Sequence, residues 1–212
     1  MSSRFTKDWE TGGKGIKSVL RPQVPLRQKI ELATRRIEAQ IQYMDGTLNR
    51  LTERDKALFA KVVDAYSKHD VQRANVFANE LAELRKMASF MMNSKLALER
   101  VVLRLRTVSE LGNVAVSLAP AAKVLQSVRS GVIGVLPNAE QELGEIGTML
   151  NEIIIEAGIN EGVTPDFEVA SEDAMKILNE AAMVAEQRVK EKFPELPALR
   201  AEHIGEPEST NY

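Results

Sequence analysis

The chain contains no cysteine. That excludes a disulfide framework, a thiol nucleophile and any cysteine-based metal site, and it fits a reducing compartment. Only two histidines are present, His69 and His203, too far apart in sequence to act as a spaced ligand pair. Aromatic residues are 5% of the chain, too few for a base-stacking platform. No apolar run approaches the roughly 18 residues that a membrane-spanning helix needs. The longest near a turn is Val132-Ile133-Gly134-Val135-Leu136. The opening residues, MSSRFTKDWE, hold no apolar stretch, so no secretory signal is expected there. The expectation is a cytoplasmic protein that meets membrane only peripherally. Gly (12) and Pro (8) are sparse among 212 residues, and Ala, Leu, Glu, Val and Arg dominate. That mix favours helix over a sandwich or barrel.

Signs of enzyme chemistry are also missing. Gly12-Gly13-Lys14-Gly15 lacks the Ser or Thr after lysine, and the preceding strand, that a phosphate loop requires. The carboxylates of 140–172 are spread over helix and linker, without the buried setting that acid–base work needs. No catalytic residue, metal ligand, cofactor or small-molecule substrate is expected.

What the chain does have is charge sorted end to end. Residues 1–130 carry 23 Lys/Arg against 13 Asp/Glu, a net of +10, while residues 131–212 carry 5 against 17, a net of −12. A basic half suits an anionic surface, membrane or nucleic acid. The acidic half can fold back and compete with that surface.

Residues 1–22 read as a basic flexible arm. Helix one is expected from about Pro25, a residue tolerated in a first turn, to about Ser67–Asp70. Its apolar residues recur every seven: Ile30, Ile37, Met44, Leu51 and Leu58, with a second row at Ile41, Leu48 and Val62 and lapses at Thr34 and Asp55. That is a heptad seam. After a short turn, Phe77, Leu84, Met91, Leu98 and Leu105 repeat the seam, flanked by Leu81, Ala88 and Val102, with Lys95 as a lapse. Two long seamed helices joined tightly form an antiparallel hairpin, expected over about 25–118. Pro120 is expected to break or kink the second helix and act as a hinge. Shorter helices follow over about 121–157, the first ended by Pro137 and the second capped by Asn138 and stopped at Gly158. Residues 158–170 read as an acidic linker, 171–192 as an acidic regulatory helix with Ser171 as N-cap, and 193–212 as a tail. The fold class is all-α.

Two stretches are candidate binding elements. The arm interleaves Arg4, Lys7, Lys14, Lys17 and Arg21 with Phe5 and Trp9. Cations near an anionic bilayer contribute about 1 kcal/mol each, and an aromatic wedge adds apolar burial. The basic run continues through Arg27, Lys29, Arg35 and Arg36, and these eleven residues form the expected membrane-binding set. In the tail, Phe193-Pro194-Glu195-Leu196-Pro197-Ala198-Leu199 is biased to an extended shape by its prolines, leaving Phe193, Leu196 and Leu199 to seat in pockets of a helical partner.

The ordered set resembles the ESCRT-III family: a basic arm, a basic hairpin with heptad seams, two shorter helices, an acidic linker and helix, and a Pro-rich apolar tail. Glu142-Leu143-Gly144-Glu145-Ile146-Gly147-Thr148-Met149-Leu150-Asn151-Glu152-Ile153 is similar to the fourth-helix region of the archaeal cell-division members, the CdvB group. The resemblance spans nearly the whole chain. It implies a non-enzymatic subunit that polymerises with itself, with paralogous subunits as further candidate partners, on the inner face of the cell membrane at the division site. It also implies remodelling by an AAA ATPase whose MIT domain reads C-terminal motifs. Phe193, Pro194, Leu196, Pro197 and Leu199 fall where the resemblance to the proline-type MIT-interacting motif lies. With no winged-helix segment following Tyr212, recruitment through other subunits is implied. From the residues alone, a nucleic-acid-binding basic hairpin and a coiled-coil adaptor remain as alternatives.

Overall fold

The computed structural model describes residues 25–111, 114–133, 136–161 and 166–193. Every regular element among them is α-helical: α1 Leu26–Ser67, α2 Val71–Leu111, α3 Val114–Val132, α4 Pro137–Glu161 and α5 Phe167–Lys192. The all-α expectation, with a long hairpin first, is met.

α1 has 42 residues and α2 has 41, each about 60 Å long at 1.5 Å per residue. The seam is buried as its spacing requires: Ile30, Ile37, Met44, Leu48, Leu58 and Val62 from α1 face Leu81, Leu84, Ala88, Met91, Leu98, Val102 and Leu105 from α2. The polar lapses are satisfied rather than tolerated. Thr34 returns its hydroxyl to the Ile30 carbonyl at 2.8 Å. Asp55 is only 4% exposed and accepts a two-pronged bond from Arg85, Nε at 2.6 Å and Nη2 at 3.2 Å. An unpaired buried carboxylate would cost several kcal/mol, so this pair fixes register more than it adds stability. Lys95 reaches Asp45 across the hairpin at 2.5 Å.

The hairpin turns at Lys68-His69-Asp70. His69 adopts φ 57°, its N–H bonds the Tyr66 carbonyl, and the Asp70 N–H bonds the Ala65 carbonyl, each at 3.0 Å. This is a Schellman stop with a histidine where glycine is usual. Asp70 then caps α2, its Oδ1 accepting from the Arg73 N–H at 3.0 Å. One residue thus ends one helix and begins the next, which explains the tightness of the turn.

The three shorter helices pack around the open end of the hairpin. Ser117 of α3 sits at Arg104 of α2, and Gly131 sits under Phe90, so α3 runs antiparallel to α2. A Cβ on Gly131 would lie 2.3 Å from the Phe90 ring, so only glycine lets the ring approach. α4 returns beside α3 and also covers α1. α5 then descends beside α3 on the flank of α2. This layering explains why α2 is buried on more than its seam face: Met92, Leu96, Ala97, Val101 and Val108 are buried too. The hairpin tip, roughly residues 50–85, extends past the short helices, with Val63, Tyr66, Val71 and Val76 exposed.

Several sequence boundaries move. α2 ends at Leu111 and α3 begins at Val114, so the expected break at Pro120 falls earlier and Pro120 lies buried inside α3. An internal proline removes one helical N–H and crowds the preceding turn. In the same turn the Ser117 carbonyl accepts from Arg104 Nε at 3.0 Å, tying α3 to α2 there. Pro137 does not end α3. It opens α4 as its first residue, where its missing N–H has no partner to lose, and the Leu136 carbonyl accepts the first helical bond from Glu140 at 3.0 Å. Asn138 is therefore helical rather than a cap. α4 continues through Gly158 to Glu161. α5 starts at Phe167, well before Ser171, because Asp166 caps it by accepting from the Glu168 and Val169 N–H groups at 2.9 and 3.3 Å.

Candidate functional site: the charged seam over the hairpin

Glu142 and Glu145 are three apart on α4 and so share a face. Leu143, Ile146 and Leu150, the apolar row beside them, are buried, which turns both carboxylates towards α1. Arg36 meets them there, Nη2 lying 2.7 Å from Glu142 Oε2 and 2.6 Å from Glu145 Oε2. Two turns earlier on α1, Lys29 pairs with Glu156. The guanidinium of Arg36 is held above its ordinary value, chiefly by the bond to Glu145 and then by that to Glu142. The Glu145 carboxyl is pushed below its ordinary value by the bond from Arg36 and secondarily by Gln141.

The second half of the seam lies on α2. Arg100 pairs with Glu180 of α5, and Arg104 Nη2 lies 3.4 Å from Asp173 Oδ2. Arg104 therefore touches three helices: its own, α3 at Ser117 and α5 at Asp173. The acidic helices thus lie on the basic hairpin, as the charge split anticipates. The pairs are half-exposed, individually weak and weakened further by salt over a screening length near 8 Å. They choose the place and direction of docking, while apolar burial supplies its strength.

The expected membrane set divides. Arg4, Phe5, Lys7, Trp9, Lys14, Lys17 and Arg21 lie outside the described residues. Arg27 and Arg35 are exposed, Arg27 bonding along its own helix to Glu31 at 3.3 Å. Lys29 and Arg36 are occupied by α4. Of the tail motif, Phe193 is only 4% exposed. It closes α5, its N–H on the Val189 carbonyl at 2.8 Å. Pro194, Leu196, Pro197 and Leu199 lie outside the described residues. Pro120 is placed within α3, three residues after Ser117, whose carbonyl Arg104 holds. Among the described residues no cluster of His, Asp and Glu is arranged to hold a metal, and no helix is long and apolar enough to cross a membrane.

Sequence reasoning missed the individual partners: Glu142, Glu145 and Glu156 on α4, Asp173 and Glu180 on α5, and Arg104. The glutamate signal was present, since Glu142 and Glu145 flank an apolar row at helical spacing. Nothing local marks Arg104, whose role depends on where α3 returns.

No family model and no solved structure matches the chain. Two curated proteins of Sulfolobus acidocaldarius do. Cell division protein B1 is 42% identical over 198 residues, 93% of this chain and 92% of the relative. Cell division protein B is 36% identical over 175 residues, 82% of this chain and 67% of the relative. At that identity along nearly the full length, the helical hairpin and its acidic cover are those of a chain that belongs to the CdvB family of archaeal cell-division proteins.

Proposed function

We propose that the chain serves cell division as a non-enzymatic, ESCRT-III-like subunit that polymerises on anionic membrane and constricts it. The seam just described carries this reading: a cationic rod with its own anionic cover is suited to a soluble closed state and an open state that binds a charged surface. Opening requires a ligand that prefers the open form. Anionic lipid qualifies, offering about 1 kcal/mol per nearby cation, comparable to each half-exposed pair that it replaces. In the closed form the arm, Arg27 and Arg35 make first contact. Arg100 and Arg104 join once α5 lifts, whereas Lys29 and Arg36 stay with α4. Neighbouring rods, of this chain or of paralogues, then stack sideways, and the break between α2 and α3, ahead of Pro120, gives where it must bend. An MIT-domain AAA ATPase disassembles the polymer by gripping Phe193, Pro194, Leu196, Pro197 and Leu199. That grip requires Phe193 to leave the core, so it is strongest on opened subunits. The expected place of action is the inner face of the cell membrane at the division site.

Negative-stain microscopy with anionic and neutral liposomes, at low and high salt, tests this. Filaments, rings or tubules are expected on anionic liposomes only, more of them with Asp173→Lys/Glu180→Lys, which repels α5 from Arg104 and Arg100. Deleting residues 165–212 is expected to act the same way. Dispersed particles and smooth liposomes throughout, or strong binding to duplex nucleic acid with indifference to lipid charge, would contradict it.

A further inference from the structure

The hairpin tip carries a charge that its own carboxylates do not answer. Residues 50–86 hold eight Lys/Arg and six Asp/Glu, a net of +2. All six carboxylates are committed. Glu53 pairs with Lys56, Asp64 with Lys68, Glu80 with Arg54 and Glu83 with Lys86. Asp55 holds Arg85 in the seam, and Asp70 is spent on the Arg73 main-chain N–H. Arg50 donates to the Thr47 hydroxyl at 3.0 Å. Lys61 and Arg73 are left over, and both approach one ring. Lys61 Nζ lies 5.6 Å and Arg73 Cζ 5.7 Å from the centroid of Phe77, whose aromatic face attracts cations. Phe77 itself is half-buried against the hairpin core. An anchored ring thus gathers one cation from each helix, and among the described residues no carboxylate pairs with either.

The surroundings say which anion fits. Val71 and Val76, on either side of Arg73 in the chain, are 55% and 63% exposed, and Val63 and Tyr66 of α1 are exposed as well. The acidic helices do not reach this end. Their pairs with the hairpin fall at Lys29, Arg36, Arg100 and Arg104. Lys61 stands about 50 Å along α1 from the clamped Lys29. Cations interleaved with apolar side chains suit a layered partner, with anionic headgroups over an apolar interior. A nucleic-acid backbone would supply the charge alone. The end of a two-helix hairpin is also convex, which suits a surface that yields around it.

We propose that the hairpin tip is a contact for an anionic lipid surface, Lys61 and Arg73 taking headgroups while Val71 and Val76 enter the interfacial layer. It rests on the membrane reading above and deepens it. Because the tip lies clear of the acidic cover, this contact forms on the closed subunit, before α5 lifts.

The absence of native cysteine makes the tip easy to label alone. A nitrobenzoxadiazole label on Ser67→Cys, at the end of α1 in the full chain, reads the tip, and co-sedimentation reads binding of the whole molecule. The vesicles are phosphatidylglycerol, or phosphatidylcholine as the neutral control, each doped with a lipid bearing a headgroup nitroxide that quenches on contact. Quenching is expected on phosphatidylglycerol only. Lys61→Gln/Arg73→Gln is expected to remove it, and Lys61→Arg/Arg73→Lys, which keeps both charges, to retain it, each with the helical circular dichroism of the parent. Sedimentation with the label unquenched, or quenching that survives the glutamine pair, would overturn the tip contact and leave the membrane reading standing. Failure to sediment with either vesicle would overturn both. A label shielded by unlabelled chain without vesicles, and unquenched with them, would give the tip to a second copy and overturn the proposal.

Discussion

α4 and α5 are nearly equal in length, 25 and 26 residues, and both lay acid on the same basic hairpin, yet they are fastened differently. α4 buries Leu143, Ile146, Leu150, Ile153 and Ile154 between α1 and α3. At roughly 2 kcal/mol per fully buried aliphatic side chain, those five are worth about 10 kcal/mol before ordering costs. α5 buries mainly alanines, Ala170, Ala174, Ala181 and Ala185, with Ile177, Leu178 and Val189 half-buried, and Phe193 as its one large fully buried anchor. It leaves Met175 and Met183 exposed, Met183 by 67%. Ion pairs differ little between the two helices, so the several kcal/mol of difference lies in apolar burial. α4 is built into the bundle, and α5 is laid on it.

The largest effect should come from α4 itself. Leu150→Ala is expected to lower the denaturant-derived stability of the chain by about 2–5 kcal/mol through lost transfer energy and a cavity. Ile177→Ala in α5, half-buried to begin with, should cost less than about 1.5 kcal/mol. Equal losses would erase the distinction. Next in size, Arg104→Ala removes both the donation to Ser117 and the pair with Asp173. The amides of α5 should then exchange about tenfold faster, as for a lost charge-assisted bond, with those of α4 unchanged.

Acid reaches α4 through its clamp. Glu145 has its folded pKa below the ordinary value, 4.5, so its contribution is fully present above that pH and is lost as pH falls through the depressed folded value. The α1–α4 clamp at Arg36 should therefore weaken only below about pH 4.5. Glu142→Gln/Glu145→Gln should flatten that part of the stability profile, and an unchanged profile would remove the clamp from the account. The smallest effect belongs to neither helix. His69→Gly relieves a left-handed φ at the hairpin tip and should stabilise the chain by a few tenths to about 1 kcal/mol, leaving α4 and α5 exchange untouched.

How much of this was legible in the sequence follows from how local each cause is. The hairpin was, because a seven-residue repeat depends on one partner helix and shows along the chain. The charge split also foretold that acid would lie on base. Helix ends were harder. Pro120 reads as a breaker, but it lies buried inside α3 once that helix packs on α2, and the break falls earlier, after Leu111. Pro137 reads as a stop until the Leu136 carbonyl is seen accepting the first bond of the next helix. The second buried face of α2, from Met92 to Val108, belongs to no seam because it answers to α3 and α5 together. The partners of Arg36, Lys29 and Arg100 depend on how α4 and α5 slide along the hairpin, a register set by tertiary packing.

The most direct test of the central claim, that α5 is the releasable acidic cover and α4 a fixed one, is hydrogen exchange on the full chain with anionic and with neutral vesicles. Anionic vesicles are predicted to strip protection from residues 167–192 while residues 137–157 keep theirs, and neutral vesicles to change neither. Loss of protection in both helices together, or protection of α5 retained on a membrane that the chain has bound, would contradict it.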